Sequence, residues 1–130
     1  MVRKDQKYII YDGPEFKIEW YFNDQGKSSA QTYFKQLSLA RQDKLMRLVK
    51  LMSNQGEIQD TTKFRSEHDG IYAFKPKPDR FFCFFFIGSK IIITNAYEKK
   101  TDKMSPSEKA KAQRCYSDYE YRVKKGTYYV

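Results

Sequence analysis

An α+β fold is predicted for this chain: one antiparallel sheet, a helical pair packed on one of its faces, and a third helix at the C-terminus. Three observations predict it. Residues 70–97 read as three apolar runs parted by short turns, which is the pattern of an antiparallel meander. Leu45, Leu48, Val49 and Met52 recur at i, i+3, i+4 and i+7, the spacing of one helical face. Ser105-Pro106-Ser107-Glu108 combines an N-cap serine, a proline at the first helical position and an acidic group reaching back.

The elements follow in order. Residues 1–15 read as an extended leader, with Lys4-Asp5-Gln6-Lys7 polar and Tyr8 to Tyr11 apolar before the turn at Asp12-Gly13-Pro14. Phe16 to Phe22 alternates around Ile18, Trp20 and Phe22, as a strand with one buried face does. Asn23 to Gly26 supplies turn chemistry, and Ser28 to Gln31 matches a capping box that starts a short helix. A second helix runs from Leu39 to about Asn54, with Gly56 to end it. Its apolar stripe belongs to the core.

Strands are then expected over Gly70–Lys75, Arg80–Ile87 and Lys90–Tyr97, with the turn Pro76 to Asp79 between the first two. Residues 104–125 form the last helix, and Ala112, Cys115, Tyr116, Tyr119 and Val123 line its inner face. The predicted order is β-α-α-β-β-β-α in a single domain spanning 1–130, and the sheet face away from the helical pair is left open for function. Parity places Tyr72 and Phe74 opposite Ile71, Ala73 and Lys75. Arg80 falls with Phe82, Phe84 and Phe86, as the polar end of a central strand.

Composition narrows the function. The chain has 130 residues, and a domain of that size buries roughly two-thirds of its unfolded surface, enough for one core. Its net charge of +9 points to an anionic partner, with nucleic acid first among them. Two cysteines and one histidine fall short of a zinc site, so no metal or other cofactor is expected. Cys83 and Cys115 read as free thiols of a reducing compartment. The polar N-terminus has no apolar signal segment, and the run Phe81–Ile87 is too short to span a bilayer. A cytoplasmic protein is expected.

No Ser-His-Asp arrangement and no glycine-rich phosphate loop are present. The chemistry left is that of Lys, Arg, Tyr and His68. Lys75, Arg80, Lys99 and Lys100 converge if the meander folds as predicted, with Lys77, Tyr97 and Lys103 beside them and His68 next to the first strand. Runs of lysine are usually solvated faces. A convergent set including arginine suits a phosphate, because the guanidinium holds two oxygens in fixed geometry. RNA transesterification asks for this little: the substrate's own 2′-hydroxyl attacks, and the enzyme positions it, stabilises charge and moves protons.

These segments resemble, in order, those of the RelE/HigB-like toxins, specifically the phage-derived branch. Phe16 to Tyr21 with Asn23 to Ala30 resembles the opening strand and helix start. Gly70-Ile71-Tyr72-Ala73-Phe74-Lys75 and Arg80 to Gly88 resemble its next two strands. Ala96 to Thr101, Ser105 to Glu108, Arg114 and Asp118-Tyr119 resemble its most specific signature. The resemblance implies a RelE-like fold and ribosome-dependent cleavage of messenger RNA (an mRNA interferase). It also implies a cognate antitoxin, often of helix-turn-helix type. It makes Arg80 the scissile-phosphate contact, Lys99 and Lys100 the basic pair with Lys100 the charge stabiliser, and Lys75 a basic neighbour.

Tyr97, Lys103, His68 and Lys77 are candidate RNA contacts by their position near this cluster, with His68 outside the matched segments. Ala73 stands where the branch has Glu, and Asn95-Ala96 where it often has His-Gly, so the general base stays open. An unperturbed lysine, with a pKa of about 10.4, offers almost no free amine at neutral pH. Two other readings share the fold: a gyrase-binding toxin of the ParE branch, and an inactive nucleic-acid-binding relative.

Overall fold

The computed structural model describes residues 7–101 and 103–130; the leader segment 1–6 and Asp102 lie outside the described residues. The strands are β1 (Ile9–Asp12), β2 (Lys17–Trp20), β3 (Phe64–Ser66), β4 (Tyr72–Phe74), β5 (Asp79–Phe86) and β6 (Lys90–Glu98). The helices are α1 (Ser29–Gln36), α2 (Leu39–Gln55) and α3 (Pro106–Lys125). They form one six-stranded sheet in the order β1-β2-β6-β5-β4-β3. The α+β class, the helical pair and the C-terminal helix are as the sequence predicts.

The helix ends form as the capping residues require. Ser28, Ser38 and Ser105 each accept a backbone N–H from three residues on: Gln31 at 3.2 Å, Arg41 at 3.3 Å and Glu108 at 3.3 Å. Gly56 and Gly126 end α2 and α3 in the left-handed conformation.

Two features correct the sequence reading of the sheet. It is mixed, because β2 lies parallel to β6, with Lys17 opposite Lys90 and Trp20 opposite Ile93. A parallel neighbour needs a long crossover, and α1, α2 and the first strands of the meander supply it. The sheet also has two further edge strands. β1 arises inside the predicted leader and pairs with β2, and β3 pairs with β4 through Phe64, Arg65 and Ser66.

The parity of the central strands is as predicted. Trp20, Phe74, Phe81, Cys83, Ile91 and Ile93 meet Leu45, Val49 and Met52 of α2 on one face. Ile71, Ala73, Phe82, Phe84 and Ile92 meet Ala112 and Tyr119 of α3 on the other. That second face is therefore not open: α3 covers it, with Tyr116 stacked on Phe84 at 4.3 Å. The apolar stripe on a 20-residue helix has to be buried, and the uncovered sheet face is where it goes. The ends of the strands stay open.

The C-terminal tail closes this second core. Tyr128, 3% exposed, accepts the Phe22 backbone N–H at 2.9 Å, and Tyr129 donates to the buried Glu19 carboxylate at 2.7 Å. Removing residues 128–130 will destabilise the fold by about 3–5 kcal/mol, since it strips an aromatic from the core and leaves a buried carboxylate short of its hydrogen bond. Urea unfolding reads this directly. An unchanged midpoint would show that the tail is not part of the core.

Candidate active site at the strand ends

The register builds the site. Ala73 lies opposite Phe82 and Phe74 opposite Phe81, so the next pair outward brings Lys75 beside Arg80 on one face. Across the other edge of β5, Arg80 pairs with Tyr97 and Asp79 with Glu98. The Lys99 backbone N–H donates to the Pro78 carbonyl at 2.8 Å, which extends this ladder past β6. Lys99 and Lys100 are thereby held against the β4–β5 turn.

The result is a cleft of about 430 Å³. Five cations line it: Lys75, Lys77, Arg80, Lys99 and Lys100. Pro78, Asp79 and Thr101 complete the wall. Asp79 contributes little negative charge there. Its carboxylate accepts from Tyr33 and from Arg41, whose Nε donates at 2.9 Å, and Arg41 also reaches Glu98 at 3.3 Å. Burial and this hydrogen bond raise the Tyr33 hydroxyl pKa well above its ordinary value, so it stays a donor. The cleft keeps a net positive field.

Arg80 is a polar strand end but not a surface one. It is 1% exposed, at the cleft floor. Its Nη1 donates to the buried Glu67 at 3.3 Å, and Arg65 reaches the other oxygen of that carboxylate at 3.4 Å. Nε and Nη2 have no hydrogen-bond partner among the described residues. These two nitrogens share one edge of the guanidinium plane, the pair that grips two anionic oxygens side by side. A buried donor pair left unpaired is costly, and an anion's oxygens could satisfy both nitrogens at once.

Glu67 was not among the sequence candidates. It sits just before a tight turn in which His68, Asp69 and Gly70 all take left-handed φ angles of 72°, 56° and 80°. A Cβ at Gly70 would come within 3.3 Å of the Tyr116 ring, so this turn needs glycine both for its angle and for its approach to α3. Lys109 clamps Asp69 at 2.8 Å. The turn thus holds Glu67 against Arg80.

Lys75 is a perturbed lysine. Burial lowers its pKa first, and the positive charges of Arg65, Arg80 and Lys99 lower it further, against a smaller opposing pull from Glu67. Its ammonium donates to the Thr61 carbonyl at 3.1 Å, which fixes its position. The expectation of ordinary lysines throughout is corrected at this residue.

Three predicted contacts lie away from the cleft lining. Tyr97 packs edge-on against Phe82, and its hydroxyl accepts the Ser105 backbone N–H at 3.2 Å, so it pins the start of α3. His68 is an exposed turn residue whose backbone N–H donates to Ser66 at 3.1 Å. Lys103 is exposed beyond the end of β6. Asn95 instead anchors α3, donating to the Glu108 carbonyl and carboxylate at 3.0 Å each. Among the described residues no group of three or more His, Cys, Asp or Glu side chains is placed to hold a metal ion. Nor is any helix among them long and apolar enough to cross a membrane.

Comparison with solved structures gives a chain of the archaeal RelE–RelB complex from Pyrococcus horikoshii OT3, with a TM-score of 0.52 at 10% identity, covering 66% of this chain and 97% of that one. At that identity the likeness establishes the fold, which is RelE-like. Comparison with curated proteins gives no match. A family model described as "Phage derived protein Gp49-like (DUF891)" matches residues 32–117, more than half the chain and the whole cleft from Lys75 to Thr101. The resemblance read from the sequence therefore holds for family and fold: the chain belongs to the Gp49-like family of phage-derived proteins.

Proposed function

We propose that this chain is the toxin of a toxin–antitoxin pair and cleaves messenger RNA on the ribosome. The observation that carries the reading is the unpaired Nε/Nη2 edge of Arg80 at the floor of a five-cation cleft. The RelE-like fold supports it.

The chemistry follows from the side chains. Arg80 and Lys100 hold the non-bridging oxygens of the scissile phosphate and offset the charge that grows on them. Because Arg80 is buried in the free protein, side chains around the cleft floor shift as the phosphate seats. The Lys75 free amine takes the proton from the 2′-hydroxyl, whose oxygen bonds to phosphorus as the bond to the 5′-oxygen breaks. The products are a 2′,3′-cyclic phosphate and a 5′-hydroxyl, the latter protonated by a cleft lysine or by water. None of these groups sets the in-line angle of attack. The ribosome does so by holding the codon, and such pre-arranged geometry contributes several kcal/mol.

A strongly basic toxin needs a partner that blocks the cleft. The archaeal chain was solved with RelB, and an antitoxin is assigned to this protein by the same logic, acidic where it meets the cleft and of helix-turn-helix type. Action on ribosomes places the protein in the cytoplasm.

Controlled expression tests the reading. Growth arrest is expected, with new RNA 5′ ends clustered inside coding sequences. Normal growth with folded protein in the cell would contradict it. Arrest without new RNA ends, together with lost gyrase supercoiling, would favour the ParE-like alternative.

A further inference from the structure

A second cleft, of about 380 Å³, adjoins the first and shares Lys75 and Lys77 with it. We propose that it is a subsite for another phosphodiester of the same RNA strand. The proposal rests on reading the first cleft as the scissile-phosphate site.

Its remaining cations come from two separate elements. Lys44 and Arg47 project from α2, and Lys63 from the turn before β3. Leu48 and Pro76 give it an apolar wall. Among the described residues no carboxylate lines it, and the nearby Asp60 accepts from the Thr62 N–H and hydroxyl at 2.9 and 2.6 Å. Two hydrogen bonds brace the walls: Lys44 donates to the Lys77 carbonyl at 3.2 Å, and Lys75 to the Thr61 carbonyl at 3.1 Å. The side chains of Arg47 and Lys63 are exposed, and the Asp60 carboxylate lies close enough to Lys63 and Lys77 to feel their charge.

Placing this many like charges around one concavity costs self-repulsion, which an anion relieves. A solvated basic face would be convex and interspersed with acids. Here the cationic lining runs from α2, past the shared wall of Lys75 and Lys77, to Arg80 and Lys100, and the one carboxylate in that lining, Asp79, is taken up by Tyr33 and Arg41. Phosphates recur at short intervals along one strand, so consecutive clefts with a common wall fit consecutive phosphates. The apolar wall of Leu48 and Pro76 suits the sugar or base between them.

The test uses 2′-O-methyl oligonucleotides, in which the attacking hydroxyl is blocked, carrying one, two or three phosphodiesters. Binding is followed by NMR titration across a salt series, for the native protein and for the double variant Arg47→Gln, Lys63→Gln. The native protein should bind the longer probes more tightly. Each phosphate engaged should steepen the slope of log K against log salt by about 0.7, the counterion release of a single strand. The double variant should lose that increment and keep native affinity for the one-phosphodiester probe. An absent length increment in the native protein overturns the proposal, as does equal weakening of every probe by the variant. Because the readout is binding, the subsite can fail while ribosomal cleavage stands, or stand while cleavage fails.

Discussion

Arg80→Met will abolish cleavage and destabilise the protein by about 3–5 kcal/mol, because it leaves the Glu67 carboxylate buried with its main counter-charge gone. The double variant Arg80→Met, Glu67→Met will be equally inactive but will regain most of that stability, since a buried ion pair replaced by apolar side chains of similar volume is often neutral. Arg80→Lys keeps a positive charge beside Glu67 but loses the two-nitrogen edge. It should fold and cleave roughly 10²-fold more slowly, the usual cost of one missing transition-state donor. Urea midpoints and single-turnover cleavage on programmed ribosomes separate these effects. Native-rate cleavage by Arg80→Lys would remove the bidentate role.

Lys75 should set the pH dependence. Its pKa is lowered in the folded protein, so the free amine accumulates as pH rises and does so below the ordinary lysine value of about 10.4. Cleavage within the preformed complex should therefore increase with pH and level off once Lys75 is deprotonated. Lys75→Met should slow the step by roughly 10²–10⁴-fold, the range for loss of a general base. Lys75→Arg keeps the charge but cannot deprotonate in this range, so it should flatten the profile as well as slow the reaction. A Lys75→Arg profile parallel to the native one would place the base elsewhere.

Periodicity and capping made much of this fold legible. Ser28, Ser105, Gly56 and the Leu45–Met52 stripe act locally, so the helices stand where the sequence places them. Strand parity was equally readable, because Phe81, Cys83 and Phe85 must face opposite to Phe82, Phe84 and Phe86. What the sequence hid was long-range. The three residues of β3, Phe-Arg-Ser, carry too little pattern to read as a strand, and the parallel pairing of β2 with β6 joins segments some seventy residues apart. Arg80 looked like a polar strand end because its buried partner, Glu67, comes from the segment before β4, outside its own strand.

The site was half legible for the same reason. Lys75, Lys77, Arg80, Lys99 and Lys100 follow from strand register, and the structure gathers them in one cleft. Tyr97, His68 and Lys103 were near in sequence yet do not line it. Glu67 has no sequence signature, since its partner is thirteen residues away across the sheet. The lowered pKa of Lys75 needs burial and three neighbouring cations that only folding assembles.

Under the proposed function, this cationic cleft cleaves RNA whose geometry the ribosome supplies. The most direct measurement incubates purified protein with one defined message, alone and on programmed ribosomes, and maps the ends produced. Cleavage on ribosomes, little on free RNA, and none with Arg80→Met, Glu67→Met is the predicted result. Equal cleavage of free and ribosome-bound message, or full activity in that double variant, would contradict it.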